Sequence, residues 1–151
     1  MYENISDLLK QIALGEDSVL ELKAVEFSGN KVTGPHKDDM ADELAAMANT
    51  ASGTIVLGVD DKTKEIRGIP SDKLDILEGW LRYICNDSID PPLDCVIRKL
   101  LVPDQQGDEK TILRIDVPRS LLVHKSPNGY FRRRGSSKRE MKPDVLARLF
   151  Q

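Results

Sequence analysis

The sequence lacks the features that mark membrane, secreted and zinc-binding proteins. No apolar run approaches the ~20 residues of a membrane helix, and the opening MYENISDLL carries acids where a signal peptide carries bases. The two cysteines, Cys85 and Cys95, are too few for a disulfide scaffold. Together with His36 and His124 they lack the spacing of a zinc site. We therefore expect a cytoplasmic chain with reduced thiols, no membrane partner and no zinc.

The sequence also contains no G-x-x-x-x-G-K-[ST] phosphate-binding loop, and Ser-Gly-Thr at residues 52–54 does not supply one. No nucleotide cofactor is therefore expected. No repeat, low-complexity tract or long linker divides the 151 residues, of which 40% are hydrophobic and 31% are charged. These values are typical of one globular domain, which we assign to residues 1–151.

Charge is present but unevenly distributed. The formal net charge of −3 does not by itself indicate a nucleic-acid partner. The last fifth of the chain is nevertheless basic, because only Glu140 and Asp144 oppose its cations. These cations are Arg119, Lys125, Arg132, Arg133, Arg134, Lys138, Arg139, Lys142 and Arg148.

Residues 39–61 carry the clearest structural signal in the chain. Small and apolar side chains recur at helical spacing from Met40 to Ala48. Residues 49–53 then end the helix, because Asn, Ser and Gly favour caps and turns. Residues 54–57 form a short apolar run typical of a central strand, and Asp60 and Asp61 follow where the strand ends.

The other segments alternate between helical and strand patterns, so we predict an α+β domain with a mixed sheet flanked by helices. Period-2 alternation predicts a strand at residues 17–26 with one solvent-exposed face, the wet face. Residues 27–35 are predicted to be a loop. Further predicted helices are residues 5–13, a helix capped by Ser71 with Leu74 to Ile84 on its buried face, and 143–150. Further predicted strands are residues 65–69, 95–102, 111–117, 121–124 and 130–134.

Four segments, in this order and spacing, resemble the Schlafen AlbA_2 family. They are EDSVLELK at residues 16–23, ANTASGTIVLGVDD at 48–61, GI at 68–69 and YFRRRGS at 130–136. The corresponding family patterns are an E-S-x-x-x-E-F-K strand, a helix ending in A-N-T-x-G-G, a strand ending in G-V-D-D, and a late Y-x-R-x-G-S. Leu22 and Ser52 replace the usual Phe and Gly, and neither departure removes a charged group.

The resemblance implies two different functions. In bacterial and archaeal proteins the domain usually stands at the N-terminus of transcriptional regulators and binds nucleic acid. In animal Schlafens, two such lobes cleave tRNA or rRNA with two glutamates of the first motif and an aspartate of G-V-D-D. Matched by position, these acids are Glu16, Glu21 and Asp61, with Asp60 as the alternative to Asp61.

Cleavage of this kind uses carboxylates that hold a divalent metal, and oxygen ligands suit Mg²⁺ or Mn²⁺. Glu21 and either Asp60 or Asp61 lie on or after neighbouring predicted strands, and Lys23 shares the face of Glu21. Glu16 joins them only if it lies before the strand, because five residues separate it from Glu21. The alternative interpretation is that all four acids are solvated.

The basic segment is the candidate nucleic-acid surface. Arg132 and Arg134 alternate with Arg133, so one strand face carries two guanidiniums that can bind successive phosphates. Tyr130 is predicted to stack on a base. Further predicted phosphate contacts, which complete the track along this segment, are Lys125, Arg133, Lys138 and Arg139. The alternative is a basic surface that pairs with the acidic remainder of the protein.

Three hypotheses follow from these features. The first is a nucleic-acid-binding module with phosphate-led recognition of DNA or RNA, as in the N-terminal part of a transcriptional regulator. The second is a metal-dependent endoribonuclease that acts on structured RNA such as tRNA. The third is an oligomerisation or protein-interaction module. Because one lobe is small for duplex RNA, we also expect a homodimer.

Overall fold

A computed structural model describes residues 4–149 of the chain. The helices are α1 (Ile5–Leu14), α2 (Lys37–Thr50), α3 (Leu74–Tyr83) and α4 (Pro143–Leu149). The strands are β1 (Leu20–Lys23), β2 (Glu26–Ser28), β3 (Lys31–Gly34), β4 (Gly53–Leu57), β5 (Val96–Pro103), β6 (Glu109–Val117), β7 (Phe131–Arg134) and β8 (Ser137–Glu140). A 3-10 turn (Ser71–Lys73) precedes α3, and a π-helical turn (Ile84–Ser88) follows it.

The central sheet has the strand order β1-β4-β6-β5. Strands β1 and β4 are parallel, while β6 runs antiparallel to both β4 and β5. Strand β1 therefore lies at one edge, and its carboxyl end meets that of β4. The pairs β2-β3 and β7-β8 form two separate antiparallel hairpins.

Helices cover both faces of this sheet, as the alternating sequence pattern predicts. Helices α2 and α3 pack on one face, where Leu44, Ile55 and Leu81 are fully buried. Helix α1 packs on the other face through Leu8 and Ile12. This arrangement confirms the predicted α+β domain with a mixed sheet flanked by helices. Within residues 4–149, no helix is long and apolar enough to cross a membrane.

The contact between α2 and β4 requires small residues. Every residue of α2 from Met40 to Ala48 is buried, which its alanine content permits. The turn that follows brings the backbone of Gly53 under the end of the helix. A Cβ on Gly53 would lie 2.5 Å from Sδ of Met47, so a larger residue there must displace that side chain. The glycine therefore allows the helix and the strand to pack closely.

Three predictions of local structure in the first half of the chain are wrong. Residues 27–35, predicted to be a loop, contain most of the β2-β3 hairpin, because Phe27 and Val32 turn inward to the core. Residues 65–69 do not form a strand; only an isolated bridge joins Val59 to Ile66. Ser71 also makes no side-chain cap, since it lies within the 3-10 turn.

The late hairpin is shifted along the chain relative to the prediction. Residues 121–124 are not a strand, and Leu121 and Leu122 are exposed. The partner of β7 is instead β8, which follows it after the turn at Gly135. The strong Asn128-Gly129 signal produces a local turn in which Ser126 pairs with Gly129. Helix α4 confirms the predicted final helix up to Leu149, and residue 150 lies outside the described residues.

Candidate nucleic-acid interface and acid cluster

Glu21 lies on the face of β1 that is covered by α2. Its neighbours Leu20 and Leu22 face α1, so the alternation predicted from the sequence is present. The predicted wet face is wrong, however, because Glu21 is only 5% exposed. Its Oε1 lies 3.3 Å from Nζ of Lys23, which remains partly exposed. Helix α2 therefore buries a carboxylate that the sequence alone places in solvent.

Arg133 of β7 supplies the main counter-charge for this buried carboxylate. Its side chain is 1% exposed and its Nη2 lies 2.9 Å from Oε2 of Glu21. Its Nη1 lies 3.3 Å from Oε2 of Glu43 on α2. The guanidinium thus sits between two carboxylates from different elements. A charge buried to this degree needs such partners, because isolated desolvation is costly.

The same guanidinium also satisfies the backbone at the start of β1. Nη2 donates hydrogen bonds to the carbonyl oxygens of Asp17, at 2.7 Å, and Leu20, at 2.9 Å. Because both hydrogens of Nη2 are engaged with these carbonyls, Oε2 of Glu21 has close charge contact with Nη2 but accepts no hydrogen bond from it. Arg133 therefore ties the β7-β8 hairpin to the edge of the sheet.

The end of α2 fastens β7 from the other side. The amide of Asn49 donates to the carbonyls of His124 and Phe131, each at 2.9 Å, and its Oδ1 accepts from the His124 N–H at 2.8 Å. The hydroxyl of Thr50 accepts from the Arg133 N–H at 2.8 Å. The Ala-Asn-Thr segment is thus the docking edge for the residues that lead into β7.

Glu16 lies along the free edge of β1, before the strand begins. Its Oε2 accepts a hydrogen bond of 2.9 Å from the Leu22 N–H, which places its carboxylate beside the strand as required. Burial raises the pKa of Glu16 to about 7, against the lowering effect of the Leu22 N–H. The neighbouring carboxylates of Glu21 and Asp61 raise it further. Glu16, Glu21 and Asp61 are called the acid cluster below.

The two aspartates after β4 differ in their surroundings. Asp60 accepts hydrogen bonds from the N–H groups of Lys62 and Thr63 and lies 2.8 Å from Nη2 of Arg67. The N–H groups of Thr63 and Lys62, aided by Arg67, hold the pKa of Asp60 below its usual value. Asp61 is exposed and acts on Glu16 through its charge. The Asp60 carboxylate is thus occupied by hydrogen bonds within its own turn. Of the two aspartates, Asp61 is therefore the better candidate for the acid cluster.

The acids are close together but are not arranged as a metal site. Across residues 4–149, no group of three or more His, Cys, Asp or Glu side chains could hold a metal ion. The cations of Lys23 and Arg133 lie against Glu21 instead. Binding of Mg²⁺ or Mn²⁺ by Glu16, Glu21, Asp60 or Asp61 therefore stays a prediction.

The raised pKa of Glu16 predicts a pH-dependent stability. The folded protein holds this proton up to about pH 7, whereas the unfolded chain releases it near 4.5. Because the native state binds more protons in this window, the Glu16 contribution to the unfolding free energy falls as the pH rises from about 4.5 to about 7. Glu16→Gln removes this titrating group. The free energy of unfolding in urea should therefore fall less between pH 4.5 and pH 7 in the variant than in the wild type.

The measurement compares the wild type with each variant at every pH. Glu65→Gln, at an exposed position in the turn after Asp60, is the matched control and should run parallel to the wild type. The difference between wild type and Glu16→Gln should decline with rising pH. A constant difference would mean that Glu16 does not titrate differently in the folded state.

The outer face of the β7-β8 hairpin carries three arginines. Because Arg133 points inward, its neighbours Arg132 and Arg134 point to the opposite face of the strand. Arg139 of β8 is the cross-strand partner of Arg132 and shares its face. We call Arg132, Arg134 and Arg139 the arginine face. Arg134 and Arg139 are exposed, and Arg132 is partly exposed.

The other predicted nucleic-acid contacts lie in different surroundings. Lys138 is the cross-strand partner of Arg133 and turns to α2, with its Nζ 3.8 Å from Asp39 and 3.7 Å from Asp42. Nζ of Lys125 lies 6.0 Å from the ring centroid of Tyr130, before β7 begins. Arg133 belongs to the predicted track, but its burial leaves no surface for a phosphate.

Sequence reasoning missed the α2 residues that receive the hairpin. Glu43 and Asp42 are buried, and Asp42 also accepts from the side chain of Asn128 at 2.7 Å. Their signal was present, because acids stand within an otherwise apolar and alanine-rich helical run. Burial raises the pKa of Glu43, and the nearby charge of Glu21 adds to it. When a helix is buried on all its faces, a charged residue within it indicates a compensating polar or charged partner from elsewhere in the chain.

A family model described as "Schlafen, AlbA_2" matches residues 16–142. This match spans the acid cluster, α2 and the arginine face. The chain belongs to the Schlafen AlbA_2 family. The family indicates a nucleic-acid-related function for this AlbA_2 domain.

The AlbA_2 domain is also similar to a solved structure, the DIP2311 protein from Corynebacterium diphtheriae. The TM-score is 0.56 and the sequence identity is 26%. The similarity covers 82% of this chain but only 22% of the other. The AlbA_2 domain thus corresponds to about a fifth of that longer protein.

Proposed function

We propose that this AlbA_2 domain binds nucleic acid through the arginine face, with phosphates as its principal contacts. The observation that carries the proposal is the register of β7 and β8, which gives Arg132, Arg134 and Arg139 one common face. Guanidinium groups bind phosphate oxygens with two parallel hydrogen bonds, so neighbouring arginines suit successive phosphates. Such contacts position a nucleic acid without reading its sequence.

The attachment of the hairpin supports this proposal. The Arg133 side chain, the hydrogen bond that Asn49 donates and the one that Thr50 accepts fix β7 against β1 and α2. A surface held on regular structure loses little conformational entropy when it binds a ligand. Lys125 and Tyr130 lie in the segment that enters β7, where a stacked base and a further phosphate contact would extend the track.

The test reverses two charges of the arginine face. In Arg132→Glu/Arg134→Glu, the affinity for tRNA and for duplex DNA should fall about tenfold or more at moderate salt, because phosphate contacts dominate such binding. The slope of log affinity against log salt should also decrease by about 1 for each phosphate that the variant no longer binds. Fluorescence anisotropy over a salt series measures both quantities.

The matched control is Lys31→Glu/Arg98→Glu, which makes the same change in net charge at exposed positions of β3 and β5. It should retain most of the affinity, while a loss equal to that of the arginine-face variant would indicate net charge alone. Unchanged binding in the arginine-face variant would contradict the proposal. No binding by the wild type would favour the protein-interaction hypothesis.

A second candidate function is endonucleolytic cleavage of structured RNA such as tRNA at the acid cluster. Glu16 favours it, because a carboxyl with a pKa of about 7 can accept or donate a proton near neutral pH. Lys23, which lies beside Glu21 and is partly exposed, would contact a phosphate of the RNA. The same reactions, run with Mn²⁺, Mg²⁺ or EDTA, would reveal shortened RNA and any need for a metal. Cleavage that persists in Glu16→Gln would exclude this role for Glu16.

Two further predictions concern the assembly of the protein and its biological role. A homodimer would place two arginine faces along one duplex, and light scattering of the purified chain measures its mass directly. A role as the N-terminal module of a transcriptional regulator fits the proposed binding and stays a prediction.

A further inference from the structure

Two cysteines at the ends of one loop meet at the edge of the core. Cys85 lies in the π-helical turn after α3, and Cys95 immediately precedes β5. Their sulfur atoms are 3.6 Å apart, and both thiols are free. The Leu93 N–H donates to the Cys85 carbonyl at 3.0 Å, so the backbone holds the two ends of this loop together without help from the sulfurs. The backbone conformation of the loop therefore holds the two thiols next to each other.

The pair is reachable from solvent. A surface cavity of about 130 Å³ is lined by both cysteines together with Arg82, Asn86 and Asp94. Cys95 is partly exposed, while Cys85 lies deeper. The hydrogen bond with Cys95 lowers the pKa of Cys85, and the charge of Arg82 acts in the same direction. A thiolate is the reactive form of cysteine, so Cys85 is the expected nucleophile.

We infer that Cys85 and Cys95 form a reversible dithiol site that takes up two-electron oxidants of the peroxide class. The Cys85 thiolate attacks one peroxide oxygen, the O–O bond breaks, and Cys85 becomes a sulfenic acid while hydroxide leaves. The Cys95 sulfur then attacks Cys85, forming the S–S bond, and the departing hydroxide takes the Cys95 proton as water. The two sulfurs lose two electrons in total, and the peroxide gains them. A small-molecule dithiol reverses the step by thiol–disulfide exchange.

The loop closed by this bond supports the segment that enters β7. The backbones of Asp90 and Lys125 exchange two hydrogen bonds of 2.9 and 2.8 Å, and Nδ1 of His124 contacts the carbonyl oxygen of Pro91. Oxidation at Cys85 and Cys95 therefore restrains the loop on which Lys125 rests. The dithiol site does not depend on the proposed nucleic-acid binding and is tested without it.

The experiment oxidises the reduced, folded chain with hydrogen peroxide, blocks remaining thiols with N-ethylmaleimide, and maps the peptides by mass spectrometry. Both thiols should disappear together, with one Cys85–Cys95 disulfide within the chain that dithiothreitol reduces. In Cys95→Ser, oxidation of Cys85 should proceed to sulfenic and higher acids, because no neighbouring thiol resolves it. Independent oxidation of the two cysteines, or bonds between chains only, would overturn the inference.

A second measurement needs no substitution. Phenylarsine oxide bridges two thiols that lie close together, so it should bind the native chain and protect both cysteines from N-ethylmaleimide. Each single Cys→Ser variant should lose this protection. Rapid alkylation of both thiols in the presence of phenylarsine oxide would show that the pair does not act as a unit, whatever the folding of the variants.

Discussion

Replacing Arg133 by methionine should lower the unfolding free energy by about 3–5 kcal/mol, the largest change that we expect from one substitution. The side chain is nearly as long, but it leaves the buried carboxylates of Glu21 and Glu43 without their shared cation. The carbonyl of Asp17 also loses this donor, and the carbonyl of Leu20 keeps only its hydrogen bond from the Asp17 N–H. Urea or guanidinium unfolding, followed by circular dichroism, measures the loss.

Arg134→Met is the matched control, because it makes the same chemical change at the next, exposed position. It should alter the unfolding free energy by less than about 0.5 kcal/mol. Adding Glu43→Gln to Arg133→Met should recover part of the loss, since one uncompensated carboxylate is then removed. If the two arginine variants were equally stable, Arg133 would not be the anchor of the hairpin.

Asn49→Ala should be the second most damaging change, at about 2–4 kcal/mol. One side chain makes three hydrogen bonds to the backbone of residues 124 and 131. Its removal leaves the His124 N–H and C=O and the Phe131 C=O without this partner in a partly buried place, and each such group costs about 1–3 kcal/mol when unsatisfied. Hydrogen exchange should then accelerate across the segment that enters β7.

The control for this change is Asn30→Ala in the exposed turn between β2 and β3. Its effect on stability should be small. Asn49→Asp is informative as well, because it keeps the acceptor for the His124 N–H but loses both donors. We expect it to be at least as destabilising as Asn49→Ala, because a carboxylate oxygen would then face the carbonyl oxygens of His124 and Phe131. Equal stability of Asn49→Ala and Asn30→Ala would mean that α2 does not hold the segment.

The elements with strong periodicity were predictable from the sequence. The alternation of residues 111–117 lies within β6, and the stripe from Leu8 to Ile12 is the buried face of α1. Short segments were harder, because three or four residues do not define a period. The β2-β3 hairpin is of this kind, and it is stabilised by Phe27 and Val32 packing on the core. The exposed turn at Asn128-Gly129 shows that a strong turn signal does not imply two flanking strands.

The site was predictable as a set of residues but not as an arrangement. The order of motifs placed Glu16, Glu21 and Asp61 in one group, and the structure brings them close enough for their charges to interact. The basic run predicted that Arg132 and Arg134 share a face. The same run led to the wrong prediction that Arg133 contacts nucleic acid. Alternation along a strand separates its two faces, but it does not show which face is buried.

The sequence by itself determined the α+β class, the family, and the concentration of basic residues near the end of the chain. Only the tertiary structure decided that Glu21 and Arg133 turn inward and pair, and that Cys85 and Cys95 become neighbours. The physical reason is that local periodicity records the two sides of each strand or helix. Which side is desolvated, and which charge compensates it, depends on elements such as α2 that arrive from elsewhere in the chain.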